Sequence, residues 1–511
     1  MRRNTTARVI ALGLAVLLPL ALWGQLMPQE SLGVNDTCSL LPKTGLSLYT
    51  LYLPQHEQYT AYYRYAVRDG ASGYVLPQMG TGEQKHSLHA QGSTRFATWG
   101  AHGKAEYSHT QRRGVRGLLT AQPELFYPYV LIDTTQRDLT REHYQMSGVL
   151  NYQLKAWIIG FGGDFTGITQ FGQRDPRPRS RLGDFTVLLA LGYRLPWYAL
   201  SLEGSYRYYS ESFSLQNKQE DRQDPVYYHL GEGLYDHRLS LAKRTESLRY
   251  LFSSGSAVLQ LAPLVRYCPL VQFAYRSKNS FGRSLAYTKL AEVFEQEVEG
   301  QLFLPISYRT HHFSLGGGVL SSQRSGYEID YELHIVNAEP RISEQREYQR
   351  TETWIGQKTD YRGLLSYRNT TGKYQLRMDY VGSFSSLNTS YKQDAYYFSQ
   401  RAIKQLLSAT CQRFFDRWDA VLNLQGYAVL PTSHKAKWAN ELPTFVRLSE
   451  ALEYYYNTPR YQITAVLEGG YRFSASQRLA LAITGRYAQL QNISRPAWGM
   501  EVALRYGFFK K

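Results

Sequence analysis

Cysteine is scarce in this 511-residue chain, which contains only three. A disulfide-stapled secreted scaffold and a four-cysteine zinc module are therefore excluded. Charged residues make up only 20% of the chain and aromatic residues 14%, a composition too apolar and too aromatic for a disordered protein. Long apolar runs are missing after residue 24, so the remainder cannot cross a membrane as helices.

Tyrosine is the most unusual feature that is present, with 43 copies. Its side chain has an apolar ring and a polar tip, so it collects where water meets an apolar phase, and it favours strands. The composition therefore indicates a β-rich protein at a boundary between phases rather than a cytosolic enzyme.

The first 24 residues have the organisation of a secretory signal peptide. Arg2, Arg3 and Arg8 form a positive start, an uncharged apolar run covers 9–22, and Gly24 is a small residue that suits the position before the cut. The apolar run is about 14 residues long, shorter than the roughly 20 that a spanning helix needs. We expect residues 1–24 to be removed and 25–57 to form a periplasmic N-terminal segment or a small luminal hatch.

Period-two alternation is the strongest pattern in the rest of the chain, and it is typical of strands with one apolar and one polar face. Around 198–208, Tyr and Leu alternate with Ser, Glu and Arg, and similar runs follow near 374–384 and 460–473. The runs last about 11–14 residues, longer than soluble strands of about five or six and long enough to cross a membrane. Aromatic residues near the ends of the apolar faces match the girdles of membrane barrels.

Short and long connections alternate between these runs. Bacterial outer-membrane barrels keep short turns on the periplasmic side and long loops outside, and here we expect long links at 113–142, 211–249, 324–358 and 430–459. Because lipid offers the backbone no hydrogen-bond partner, the sheet must close. We predict an all-β fold: a transmembrane antiparallel up-and-down β-barrel of about 16–18 strands over residues 58–511, located in the cell outer membrane after signal-peptide cleavage.

Residues 173–233 carry motifs of a known family. These are Gln-Arg-Asp-Pro-Arg-Pro-Arg at 173–179, an alternating strand ending in Gly-Tyr-Arg at 192–194, Tyr-Arg-Tyr-Tyr at 206–209 and Tyr-Tyr-His-Leu-Gly-Glu-Gly at 227–233. Together with Leu-Pro-Gln at 76–78, they resemble a family of Bacteroidota outer-membrane β-barrel proteins that carries only a domain-of-unknown-function label (number 6850). The resemblance implies fold and location but no reaction. Members tend to be encoded beside energised outer-membrane receptors, which suggests nutrient or metal uptake.

Charged side chains on the polar strand faces are the first candidate functional residues. One hypothesis is a basic, anion-favouring channel, because rings of arginine select ions by their field. The alternative is that the charges pair across strands and only keep the interior wet. The residues expected to line the lumen are Arg207, Arg362, Arg377, Arg460, Arg472, Arg478, Arg486, Glu203, Asp379 and Glu468.

A proline- and arginine-rich loop motif is the second candidate. Proline restricts φ, so the motif is stiff and presents its arginines to a partner or an anionic sugar; the alternative is a stiff exposed loop without a ligand. Its residues are Asp175, Pro176, Arg177, Pro178 and Arg179.

Histidines cluster in one predicted hairpin, at His86, His89, His102 and His109. His86 and His89 differ by an odd number of positions, so they face opposite sides of a strand, and no metal site is predicted.

The sequence contains no G-x-S-x-G, H-E-x-x-H, phosphate-loop or calcium-loop motif, so neither an enzyme nor a cofactor is predicted. The favoured function is a porin-like or uptake-associated channel that passes or binds a small hydrophilic solute, either anionic or metal-linked. Two alternatives stay open: a surface or assembly barrel that binds a partner through its long loops, and a barrel enzyme acting on lipids or peptides. The expected partners are outer-membrane lipid and lipopolysaccharide, the barrel-assembly machinery, and an energised outer-membrane receptor or periplasmic protein. Nucleic acid is not expected.

Overall fold

A computed structural model describes residues 57–510 except 70–79, 119, 174–176, 217–225, 232–233, 237–244, 264–268, 285–288, 338–341, 393–394, 440–455, 475 and 491–496. The predicted signal peptide, residues 25–56 of the predicted N-terminal segment, and Asp175 and Pro176 of the loop motif lie outside the described residues. Within the described part of the chain, no helix is both long enough and apolar enough to cross a membrane.

Twenty strands account for nearly all of the described residues. In chain order they are β1 (Glu57–Asp69), β2 (Gly82–Phe96), β3 (Trp99–Leu118), β4 (Val130–Leu154), β5 (Trp157–Gly172), β6 (Arg177–Arg194), β7 (Tyr198–Gln216), β8 (Val226–Gly231), β9 (Leu234–Asp236), β10 (Thr245–Pro263), β11 (Leu270–Ser284), β12 (Lys289–Tyr308), β13 (His311–Asn337), β14 (Ile342–Thr371), β15 (Tyr374–Tyr391), β16 (Tyr396–Phe414), β17 (Trp418–Lys437), β18 (Arg460–Arg472), β19 (Gln477–Leu490) and β20 (Ala497–Lys510).

Eighteen of these strands form one closed antiparallel barrel, and the short β8 and β9 form a hairpin inside the β7–β10 connection. Closure is made by β1, which pairs with β2 on one side and β20 on the other. Tyr62, for example, lies opposite His89 of β2 and Arg505 of β20. The prediction of a barrel of about 16–18 strands is confirmed, with 18 strands.

The outer face of the barrel carries a continuous apolar belt. On β5, Trp157, Ile159, Phe161 and Phe165 are exposed, while Ile158, Gly160, Gly162 and Asp164 face inward. Eight residues of strand span about 26 Å, or about 20 Å along the axis after a tilt of about 40°, which fits a belt about 25 Å tall. Exposed aromatic residues bound the belt at the short-turn end (Trp99, Trp157, Trp197, Tyr308, Tyr374, Trp418) and at the long-loop end (Tyr144, Phe165, Phe185, Tyr206, Tyr361, Tyr487).

Both ends of the described chain lie at the short-turn end of the barrel. β1 starts there and β20 ends there, as do the turns between β4 and β5 and between β12 and β13. At the opposite end, β13 and β14 pair far past the aromatic belt, out to Asn337 and Ile342. Whichever way the barrel is oriented in a membrane, this long hairpin lies in water on the side opposite both ends of the described chain.

Candidate functional site

Residues 120–132, which we call the inner segment, fold back into the barrel at the long-loop end. They form the last part of the β3–β4 connection and the first residues of β4, with a single turn of 3-10 helix at Pro123–Leu125. Their contacts come from the inward faces of strands between β7 and β14. On the side of the barrel formed by β7 to β14, the inner segment therefore crosses the mouth of the lumen.

Apolar packing accounts for most of this docking. The Phe126 ring lies 4.8 Å from the ring of Tyr250 and 5.5 Å from that of Tyr209, measured between centroids. Phe213 and Val293 extend the same buried cluster along the barrel wall. Each large apolar side chain that leaves water in this way contributes about 1.5–3 kcal/mol. The segment is consequently held as a small hydrophobic core inside the barrel.

A buried carboxylate anchors the start of the inner segment. Glu211 of β7 is 0% exposed and accepts a hydrogen bond from the Ala121 amide at 2.9 Å. The hydroxyls of Tyr209, at 2.5 Å, and of Ser180 donate to the same carboxylate. A buried charge is tolerated only when its hydrogen bonds are satisfied, so these donors specify one position for the segment.

Polar contacts also fix the opposite side of the inner segment. The Arg324 guanidinium donates to the carbonyl oxygens of Glu124 and Leu125 at 2.9 and 2.7 Å. The Tyr129 hydroxyl lies 2.9 Å from Thr353 Oγ1. Gly326 leaves room for this ring, because a Cβ there would lie 2.9 Å from Tyr129 Cε2. The wall of β13 and β14 is thus shaped to receive the segment.

Strand β8 covers the inner segment from the neighbouring connection. It pairs with 130–133 at the start of β4, and His229 Nδ1 donates to the Pro128 carbonyl oxygen at 2.8 Å. Burial lowers the pKa of His229 to about 4, and the hydrogen bond to Pro128 only partly opposes this effect. The imidazole is therefore neutral at pH 7, in agreement with its apolar surroundings.

The predicted luminal arginines lie on inward strand faces and mostly meet carboxylates. Arg207 forms a two-pronged pair with Asp184, with its shortest N–O distance 2.6 Å. Arg377 lies 2.8 Å from Asp379 within β15. These distances are those of ion pairs across and along strands, the arrangement in which luminal charges balance one another.

A larger network joins the last strands of the barrel. Arg478 bridges Asp419 at 2.5 Å and Glu468 at 2.8 Å, and Glu468 also meets Arg505 at 2.8 Å. Arg486 lies 3.1 Å from Glu501. Cations and carboxylates nearly balance in this part of the wall.

The remaining predicted luminal residues differ in exposure. Arg362 lies 3.7 Å from Glu299 and 3.8 Å from Asp360, and Arg460 is 5% exposed. Arg472 is exposed at the short-turn end of β18, and Glu203 is buried on the inward face of β7. Each of these four residues occupies an inward-facing position in the alternation of its strand.

The loop motif is only partly a loop. β6 begins at Arg177, so Arg177, Pro178 and Arg179 belong to a strand rather than to the predicted loop. Pro178 is buried while Arg179 is exposed. The strand is longer than expected because β6 continues to pair with β7 beyond the apolar belt.

The histidine hairpin divides as its spacing predicts. His86 faces outward and meets the Tyr63 hydroxyl at 2.7 Å, whereas His89 faces inward, 3.2 Å from Glu106. Across the described ranges, no group of three or more His, Cys, Asp or Glu side chains is arranged to hold a metal ion.

The geometry defines a class: a membrane-spanning β-barrel with a charged lumen and an inner segment docked across its mouth. The chain belongs to a family of unknown function (DUF6850), whose model matches residues 48–508. This match confirms the resemblance drawn from the motifs at 173–233. A comparison with curated proteins finds no match.

Solved structures show low similarity to this chain. The siderophore receptor PirA from Acinetobacter baumannii aligns at 9% identity over 89% of this chain and 81% of its own, with a TM-score of 0.38. The ferric enterobactin receptor PfeA from Pseudomonas aeruginosa aligns at 9% over 89% and 82%, with a TM-score of 0.37. The FrpB iron transporter from Neisseria meningitidis aligns at 9% over 89% and 81%, with a TM-score of 0.40. These values are too low to transfer a ligand or an activity.

Proposed function

We propose that the protein is a non-enzymatic channel of the outer membrane that admits a small hydrophilic solute past the inner segment. The short-turn end faces the periplasm and the long-loop end faces outside, following the usual orientation of such barrels. The observation that carries the proposal is the inner segment itself, docked by specific side chains across a lumen whose walls are charged.

Support for passage comes from the size and lining of the lumen. A closed barrel of 18 strands is wider than one that side chains alone can fill. Its inward faces carry ion pairs such as Arg207–Asp184 and Arg478–Asp419, which need water or polar partners rather than lipid.

Support for gating comes from how the inner segment is attached. Its first pairing with a barrel strand is that of Ile132 with Leu118 of β3, and it is attached to the wall through side-chain contacts such as those of Phe126, Glu211 and Arg324. Elements attached through side-chain contacts can open locally at lower free energy than the hydrogen-bonded sheet that surrounds them. The segment can therefore move while the barrel stays folded.

Liposome swelling tests this proposal. Purified full-length protein in liposomes is placed in isotonic solutions of sugars, amino acids and phosphate salts, and swelling is followed by light scattering. We expect faster swelling than in protein-free liposomes for small hydrophilic solutes, and a further increase in Phe126→Ala, which loosens the inner segment. Swelling equal to the protein-free rate in both proteins would contradict passage.

A partner-binding barrel is the second candidate, favoured by the long β13–β14 hairpin. Pairing of these strands continues to Asn337 and Ile342, well past Tyr361 of the aromatic belt. A hairpin of this length offers an edge and two faces to another protein, such as an energised receptor. Shortening the hairpin should abolish capture of such a partner and leave swelling unchanged.

A further inference from the structure

Four arginines lie on the outer wall of the barrel, beyond the aromatic belt at the long-loop end. Arg179 and Arg181 are exposed and alternate with buried residues along β6, and the exposed Arg249 lies between two buried residues of β10. Arg283 of β11 lies directly opposite Arg249, and residues opposite each other in an antiparallel pair share a face of the sheet. All four side chains therefore point away from the lumen. We call Arg179, Arg181, Arg249 and Arg283 the outer arginine patch.

Three members of the outer arginine patch share one register row. Arg181 lies opposite Ser212 of β7, and Ser212 lies opposite Arg249 of β10. The row continues from Arg249 to Arg283. Neighbouring strands are about 4.8 Å apart, so the whole row is only about 14 Å wide. Arg179 lies two residues beyond Arg181 on the same face of β6. Long side chains at these spacings can converge on one group.

Within the described residues, no carboxylate forms an ion pair with the outer arginine patch. The Arg283 guanidinium lies 5.4 Å from the ring centroid of Phe281, and Arg249 Nε donates to Ser210 Oγ at 3.2 Å. Like charges directly opposite each other on neighbouring strands are destabilising, as with Arg249 and Arg283. An anion from outside the chain would remove this repulsion.

Neighbouring cations on the same wall are compensated. Lys289, which lies opposite Arg283 on β12, is 3.5 Å from Glu292, and Arg350 is 3.1 Å from the same carboxylate. Glu292 is 4% exposed and also accepts a hydrogen bond from Asn279. This carboxylate is therefore occupied, and the excess of positive charge is confined to the patch.

A small recess separates the outer arginine patch from the aromatic belt. Gly183 is the outward position between Phe185 of the belt and Arg181, and a Cβ at Gly183 would meet nothing within 4 Å. Ser210, the acceptor for Arg249, lies opposite Gly183. A group of a few atoms thus fits over Gly183 and Ser210, with an aromatic ring on the membrane side and guanidinium groups on the water side.

The distance from the belt places the patch at the level of lipid headgroups. Arg181 lies four residues beyond Phe185, so its Cα is about 10 Å farther along the barrel axis at a strand tilt of about 40°. Headgroup regions add about 5–8 Å to each side of the hydrocarbon core, and an arginine side chain reaches back by several ångström. The guanidinium groups therefore meet the polar part of the leaflet.

We propose that the outer arginine patch binds the phosphate groups of lipopolysaccharide in the outer leaflet. The proposal rests on the outer-membrane orientation given above and does not depend on passage through the lumen. Guanidinium groups donate paired hydrogen bonds to phosphate oxygens, and a patch without carboxylates suits a multiply charged glycolipid better than a zwitterionic lipid. Arg179 of the loop motif, which was predicted to present its charge to a partner or an anionic sugar, acquires a ligand in this way.

Titration of the folded full-length protein in neutral detergent with fluorescent diphosphoryl lipid A tests the site, with binding followed by fluorescence anisotropy. We expect saturable binding that weakens roughly tenfold in Arg181→Gln and in Arg249→Gln, because each loses a charge-assisted contact. Unlabelled lipid A from which both phosphates have been removed should compete at least tenfold more weakly than the diphosphoryl form.

Arg413→Gln is the matched control. Arg413 is exposed at the short-turn end of β16, where its guanidinium lies 5.2 Å from the ring centroid of Tyr374, so the same charge is lost at the opposite end of the barrel. Binding in Arg413→Gln should not weaken. Heat-modifiable mobility on gels checks folding, and Arg179→Gln supplies a further variant in case Arg181→Gln does not fold.

Three results would overturn the site: no binding of diphosphoryl lipid A, equal loss in Arg181→Gln and Arg413→Gln, or equal competition by the dephosphorylated lipid. Competition by inorganic phosphate or phosphatidylglycerol as strong as that by diphosphoryl lipid A would reject lipopolysaccharide as the occupant. Binding that depends on Arg181 in a barrel that fails to swell liposomes would support the patch and reject the channel, so the two proposals fail separately.

Discussion

Phe126 is the residue whose loss should most clearly release the inner segment. Its ring is 1% exposed and packs between Tyr209 and Tyr250 of the barrel wall. Truncation of a buried Phe to Ala costs about 3–5 kcal/mol. Because the barrel strands keep their own pairing, this cost should fall on the docking equilibrium of the segment rather than on the barrel.

Hydrogen exchange at the Leu131 amide reports this equilibrium directly, because that amide donates to the Tyr250 hydroxyl at 3.2 Å. If exchange proceeds through undocking, Phe126→Ala should accelerate it by about 10²–10⁴-fold, which corresponds to about 3–5 kcal/mol at 1.36 kcal/mol per tenfold. Phe161→Ala is the control, since Phe161 is 54% exposed on the lipid face. Unchanged protection of Leu131 in Phe126→Ala, or equal acceleration in both variants, would refute the packing argument.

Three further perturbations have defined outcomes. Glu211→Leu removes the acceptor for the Ala121 amide and the Tyr209 hydroxyl. Hydrogen exchange at the Leu131 amide should therefore be at least tenfold faster. An unchanged exchange rate would show that the Glu211 carboxylate does not anchor the segment. Acid should also undock the segment. The pKa of His229 is about 4 in the docked state, below its value of about 6.5 in the undocked state. The contribution of His229 to docking is therefore complete above pH 6.5, and on the order of 3 kcal/mol of it is lost as the pH falls to 4. Exchange measured from pH 7 to 4, corrected for intrinsic rates, checks this, and His229→Gln should flatten the profile. Arg478→Met leaves the buried Asp419 carboxylate without its guanidinium partner and should destabilise the barrel by about 3–5 kcal/mol. The loss should appear as a lower temperature at which heat-modifiable mobility disappears. Arg472→Met, at an exposed strand end, should change that temperature little.

The barrel itself could be predicted from the sequence because lipid imposes two unlike faces on every strand. Around 198–208 and 374–384 the alternation of Tyr and Leu with polar residues matches the outward and inward positions of β7 and β15. Strand β11 begins at Leu270, just after Pro269, so the missing N–H of the proline removes no donor from the ladder. Strands were predicted too short at the long-loop end, as with β13, which continues from the expected residue 323 to Asn337. Outside the membrane both faces of a strand meet water, so alternation vanishes although pairing continues.

Alternation did not identify the inner segment, because the segment lies inside the expected loop 113–142, where no alternating strand was predicted. A signal was present: residues 125–132 form an apolar, aromatic stretch that an exposed loop would not favour. The β8–β9 hairpin was missed in the link 211–249 for the same reason. The charged faces could be predicted from the alternation, but the pairing of Arg207 with Asp184 depends on the register between β6 and β7, which the pattern within one strand does not contain.

Conductance across a planar bilayer tests the central claim most directly. The account predicts discrete single-channel steps for the full-length protein and larger or longer-lived steps for Phe126→Ala at equal ionic strength. A barrel that inserts with native heat-modifiable mobility yet stays electrically silent in both forms would contradict it.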